Sequence, residues 1–193
     1  MADELHYEPR MSDSDALMWT IEKDPLLRST ITAVSLLDGP VDGERFADKV
    51  DRASRIIPRL RQRVVGNPYS MAPPRWEVDP NFDLGYHLRT VRAGGTGSDR
   101  DVLERAQWVG MQGFDRARPL WRFVVVDGLA DGRGAFVQKL HHTIADGEGG
   151  VRLSAQFLDL DRHATESMAG DPGEEDDAPS GFSPIDALRR PLE

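Results

Sequence analysis

The stretch "LWRFVVVDGLADGRGAFVQKLHH" (residues 120–142) carries two apolar runs, 120–126 and 134–140, around a connection containing Asp-Gly twice. Runs of this length, rich in Val and Phe and broken by Asp and Gly, predict two strands joined as a β-hairpin. The second run delivers His141 and His142 side by side at its end, in a chain that has only five histidines.

Outward from the hairpin, strands and helices alternate. "MSDSDALMWTIE" predicts a short helix opened by Ser12 or Asp13, with Leu17, Met18 and Ile21 on one side. The stretch 29–39, rich in β-branched residues and ending in Asp-Gly, predicts a strand over 29–37. Phe46, Val50, Ala53 and Ile57 recur at helical spacing, and Pro58 stops that helix. Short strands are expected at 60–65, 75–78 and 86–91, then a helix capped by Ser98 or Asp99 with Gly113 near its end. Beyond the histidines, Leu153 and Phe157, with Val151, Ala155 and Leu158, predict a half-buried helix. The expected fold class is α/β, a mixed β-sheet flanked by helices.

After His163 the composition changes. "ATESMAGDPGEEDDAPSGFSP" has almost no large apolar residue and many acidic, Pro, Gly and Ser positions. Such a stretch lacks the apolar surface needed to offset its ordering entropy, so a folded lobe over 1–165 and a disordered acidic linker over 166–193 are expected. Most of the net charge of −9 resides in that tail. The body is nearly balanced, and its charge points to no particular partner.

Cysteine is absent, which excludes disulfides, thiol nucleophiles and thiolate metal sites. No run approaches the roughly 20 apolar residues that span a bilayer, and the N-terminus lacks a signal-peptide pattern, so the chain is read as cytoplasmic. A metal site is not expected, because His142 and Asp146 have no further ligand cluster to join. A Gly-x-Ser-x-Gly elbow and a phosphate-binding loop are both missing. A strand-end histidine is often only a hydrogen-bonded structural residue. The remaining chemistry is that of a general base: an imidazole, with an unperturbed pKa of about 6.5, offers a neutral form able to take a proton. The glycines at 147, 149 and 150 allow a sharp turn beyond it.

The pattern His-His-x-x-x-Asp-Gly, residues 141–147, resembles the active-site motif of the CoA-dependent acyltransferase superfamily, which includes chloramphenicol acetyltransferases and condensation domains. "MSDSDALMWTIE", "IIPRLRQRVV", "PRWEVDPNFDLGYHLR" and "GFDRARPLWRFVVVDGL" follow in the order seen in bacterial wax ester synthase/diacylglycerol acyltransferases, so about residues 11–162 are similar to that family. The resemblance implies a chloramphenicol acetyltransferase-like N-terminal lobe of a two-lobe enzyme, with a C-terminal lobe, absent here, as partner. It implies His142 as catalytic base, His141 as a supporting residue, Asp146 as one that orients the site and Gly147 as a packing requirement. The implied substrates are acyl-CoA and a fatty alcohol or diacylglycerol, with no cofactor beyond the acyl-CoA co-substrate, and a location reaching a membrane or lipid-droplet surface. A different alcohol or amine acceptor, or a non-catalytic lipid-binding lobe, are the competing readings.

Other features carry two readings each. Pro119 and Trp121 either line an acyl channel or pack the core. Arg52, Arg55, Arg59, Arg61 and Arg63 either contact CoA phosphates or an anionic membrane, or form a solvated face interleaved with Asp48 and Asp51. The stretch is too sparse for nucleic acid. His87 is expected to make a structural hydrogen bond.

Overall fold

The expected hairpin forms the middle of a four-stranded sheet. The structure is a computed structural model and describes residues 8–66, 72–145, 153, 154 and 157. In chain order its elements are α1 (Asp13–Ile21), β1 (Thr30–Leu37), α2 (Gly43–Ile56), β2 (Gln62–Val65), β3 (Arg75–Val78), α3 (Leu84–His87), β4 (Leu88–Arg92), α4 (Asp99–Met111), β5 (Trp121–Asp127) and β6 (Gly134–His141). The sheet order is β1-β6-β5-β4, and a separate ribbon pairs β2 with β3. Strand β6 runs antiparallel to both β1 and β5, while β4 joins β5 in parallel, so the sheet is mixed. Gly128 and Gly132, each after an Asp in the hairpin connection, have φ of 71° and 76°, a conformation in which a Cβ would be strained.

Alternation along the two central strands divides the core. Trp121, Phe123 and Val125 of β5 join Phe136 and Leu140 of β6 against Phe46, Val50 and Ala53 of α2. The intervening Val124, Val126, Ala135 and Val137 meet Val102 and Ala106 of α4 on the other face. All eight residues of β6 are buried, Gln138, Lys139 and His141 among them. A third cluster places Met11, Val64, Trp76 and Leu120 together, tying the β2–β3 ribbon to the start of the described chain.

Helix starts follow the local signals. The Ser12 side chain accepts from the Asp15 N–H, and Ser98 with Asp101 closes a capping box on α4. Pro58 ends α2 and opens a 3₁₀ turn over Pro58–Arg61, so the strand expected at 60–65 begins only at Gln62. The strand expected at 86–91 is also displaced. The Asp83 carboxylate accepts from the Gly85 N–H and starts the one-turn α3, and β4 runs 88–92 instead. Helix α1 buries no residue, and Leu17 and Ile21 face solvent. The helix expected around 151–158 and the acidic linker lie outside the described residues, apart from Leu153, Ser154 and Phe157. No described helix is long and apolar enough to cross a membrane.

Candidate active site

Strand β6 reaches the end of the sheet at His141, hydrogen-bonded on both sides. The His141 N–H donates to the Leu120 carbonyl at 3.0 Å, and the His142 N–H donates to the Ser29 carbonyl at 2.8 Å. The two adjacent histidines are therefore held by backbone pairing to β1 and to the start of β5. Their side chains have opposite fates.

The His141 ring is fully buried on the α1 side, edge-on to Trp19 and Phe114. Its Nδ1 accepts from the Thr143 N–H at 3.2 Å and lies 2.8 Å from the Thr143 hydroxyl. A nitrogen that accepts from an amide bears no proton, so the proton resides on Nε2, which faces the Glu22 carboxylate in a short contact. Burial lowers the His141 pKa, against the pull of Glu22, consistent with a neutral ring donating to a carboxylate. A turn then follows, with the Ile144 N–H donating to the His141 carbonyl at 3.0 Å. Within that turn His142 is half-buried, and its imidazole makes no side-chain hydrogen bond to a described residue.

Lys139, two residues before His141 on the same face, is 2% exposed. Its Nζ donates to the Val109 carbonyl at 2.8 Å and to the Gln112 carbonyl, closing the C-terminal end of α4. Its pKa is pushed down to about 8, by burial first and then by the charges of Arg122 and Arg28, with Glu22 opposing. An unfolded lysine titrates near 10.5, so between these values the unfolded chain binds more protons and stability rises with pH. Below pH 8 the full cost of the buried charge is present; it is relieved as pH climbs through that window. Denaturant melts at pH 8 and pH 10 should show the wild type gaining on Lys139→Met, which cannot titrate. Parallel pH slopes would show that the folded amine keeps its proton.

The other expected site residues are placed as follows. Pro119 and Trp121 help line a small cavity with Tyr86, Phe114 and Lys139. Trp121 is nevertheless a core residue: it is 1% exposed, and its indole N–H donates to the Leu60 carbonyl at 2.8 Å. His87, at the end of α3 rather than on a strand, stacks between Phe82 and Trp121. Its Nδ1–H donates to the Trp121 carbonyl at 2.8 Å, and burial lowers its pKa. The arginine stretch is largely engaged internally. Asp51 accepts from Arg55 and Arg61, while Arg59 is buried over the Trp76 ring with bonds to Gln62 and the Glu8 carbonyl. Arg59 is thus part of the core rather than of a solvated face. Asp146 and Gly147 lie outside the described residues. Sequence reasoning missed Glu22, whose position at the end of α1 gives no local sign of a partner. It also passed over Lys139, visible as the one charge inside the β6 run.

A mixed sheet with helices on both faces is a fold this chain shares with condensation and acyltransferase domains of known structure. The first condensation domain of the calcium-dependent antibiotic synthetase superposes with a TM-score of 0.63 at 16% identity, over 78% of this chain and 36% of that one. A wax ester synthase/diacylglycerol acyltransferase from Marinobacter aquaeolei VT8 superposes with a TM-score of 0.58 at 23% identity, over 75% of this chain and 37% of that one. In sequence, residues 11–182 match the wax ester synthase/diacylglycerol acyltransferase catalytic domain, and the chain belongs to that family. A Mycobacterium tuberculosis (strain ATCC 25618 / H37Rv) relative named "Putative diacyglycerol O-acyltransferase" is 42% identical over 187 residues, covering 94% of this chain and 37% of the relative. The chain therefore spans little more than a third of the length of these relatives.

Proposed function

We propose that the chain is the His-bearing lobe of an acyl-CoA-dependent O-acyltransferase that forms wax esters or triacylglycerol, with His142 as general base. One observation carries the assignment of the base: of two adjacent imidazoles, His141 has both nitrogens engaged, whereas His142 is half-buried with no hydrogen bond to a described residue. A base must keep a nitrogen lone pair accessible to the proton it removes.

In the proposed reaction His142 takes the proton of a fatty alcohol or diacylglycerol hydroxyl as the oxygen attacks the acyl-CoA thioester carbonyl. The tetrahedral intermediate collapses with cleavage of the C–S bond, and the imidazolium returns its proton to the CoA thiolate. Transfer is direct, so no acyl-enzyme is formed and nothing beyond acyl-CoA is required as cofactor. The family motif assigns Asp146 to orienting the site and Gly147 to a packing requirement. The remaining length of the relatives would supply a second lobe, with donors to the oxyanion, and a lipophilic acceptor would be met at a membrane or lipid-droplet surface.

An acceptor panel tests the reading. With long-chain acyl-CoA as donor, the protein together with the downstream lobe should esterify hexadecanol or dioleoylglycerol and release free CoA in equal amount. Acylation of amines with no ester product would instead place it with condensation-type enzymes, and no consumption of acyl-CoA would leave a binding lobe.

A further inference from the structure

We propose that Glu22 is a positioning residue of this site, the hydrogen-bond acceptor that fixes the tautomer of His141 and through it the turn presenting His142; this rests on the reading of His142 as the base. Glu22 and His141 are 119 residues apart in sequence, and their contact joins the end of α1 to the end of β6. The Glu22 side chain is 8% exposed and that of His141 0%, so the pair is formed away from water. Low dielectric strengthens the bond once made and makes either partner costly to leave alone.

The coupling to His142 follows from hydrogen-bond direction. With Nε2–H donating a hydrogen bond to the Glu22 carboxylate, Nδ1 is left as an acceptor. The Thr143 N–H, one residue beyond His142, points at that acceptor. The other tautomer would set an Nδ1–H against the Thr143 N–H, two donors facing each other, and the turn would have to open. His142 lies between the two residues this bond joins. Its backbone is thereby held from both sides, by the Ser29 carbonyl behind and by the His141–Thr143 link across the turn.

The surroundings reinforce the arrangement. Trp19, on α1 three residues before Glu22, packs edge-on against the His141 ring. The Arg116 guanidinium lies 3.5 Å from the centre of the Trp19 ring and donates to the Trp19 carbonyl at 2.7 Å. Helix α1 buries none of its own residues, yet its C-terminal turn is anchored over the histidine by these contacts. The helix also packs its partly buried Ala16 and Trp19 against the cluster of Met11, Val64, Trp76 and Leu120. Delivering Glu22 is a physical reason for its place in the fold.

Two substitutions separate the acceptor role from bulk. Glu22→Met keeps the length and removes the acceptor, whereas Glu22→Gln keeps an amide oxygen able to accept from Nε2–H. In the protein with its downstream lobe, kcat should fall roughly 10- to 100-fold in Glu22→Met, the usual size when a partner that orients a histidine is lost. KM for acyl-CoA should stay within about twofold, and Glu22→Gln should recover most of the rate. Nitrogen-15 NMR of the histidine rings in the wild-type 193-residue chain should show a neutral, Nε2-protonated His141. A His141 protonated at Nδ1 would overturn the proposal even if Glu22→Met does not fold, and so would a wild-type kcat in Glu22→Met or an equal loss in both variants. Turnover surviving His142→Ala would instead remove the base assignment while leaving the tautomer measurement standing, so the two failures are distinct.

Discussion

Replacing His142 with alanine should lower acyl transfer by about two to four orders of magnitude, the contribution of a positioned base, while the melting temperature barely moves. The structure gives the reason for both halves. The backbone bond from His142 to the Ser29 carbonyl survives the substitution, and no side-chain hydrogen bond to a described residue is broken. No buried group is orphaned, so the penalty that usually accompanies loss of a buried polar residue is absent. His141→Ala should behave in the opposite way. It strips the Glu22 carboxylate of its partner in a site that is 8% exposed and opens the turn at Thr143. Several kcal/mol of stability should go with it, with a smaller loss of rate per folded molecule. Turnover and thermal melting measured on both variants separate the two histidines. Activity in His142→Ala within a few-fold of wild type would place the base elsewhere.

Trp121→Ala should be the most destabilising single change in the sheet, at about 3–5 kcal/mol, or on the order of 10 °C in melting temperature. The indole stacks on His87 with ring centres 4.6 Å apart, contacts Phe123 at 4.7 Å, and satisfies the Leu60 carbonyl. Truncation leaves a cavity at the junction of β5, α3 and the 3₁₀ turn after α2, together with an unpaired buried acceptor. Trp121→Phe keeps most of the ring volume and loses only the N–H donor, so it should cost about 1–3 kcal/mol. Denaturant melts of the pair measure the two contributions. Were Trp121 chiefly a channel wall, Trp121→Phe would alter acyl-chain preference and leave stability unchanged.

The divergent behaviour of the two histidines depends on geometry that a sequence pattern does not contain. His-His-x-x-x-Asp-Gly marks both as candidates, but His141 ends β6 while His142 lies in the turn beyond it. Which of them is consumed by a partner is decided by Glu22, reached only once α1 has folded against the end of β6. The acid holding His141 is 119 residues away, and nothing in the motif points to it. The same holds for the arginines after residue 50. Their spacing suggested an exposed basic face, but Arg59 is drawn into the core by the Trp76 ring and the Glu8 carbonyl. Neither neighbour is implied by the residues around Arg59.

Local chemistry determined much of this protein without help from the tertiary structure. Ser12 and Ser98 start helices because their hydroxyls satisfy backbone N–H groups within three residues, and Pro58 ends one because its ring and missing N–H forbid continuation. The Asp-Gly pairs turn the chain between β5 and β6, and the two apolar runs beside them form the strands of the hairpin. Long-range structure alone decided the rest: β4 adding in parallel beside β5, β1 closing the other side of β6, and the Glu22–His141 and Trp121–Leu60 contacts. Capping, turn and alternation signals act over a few residues and are written in the sequence. Strand order and the pairing of buried polar groups are set by which distant surfaces exclude water together, and that choice exists only in the folded chain.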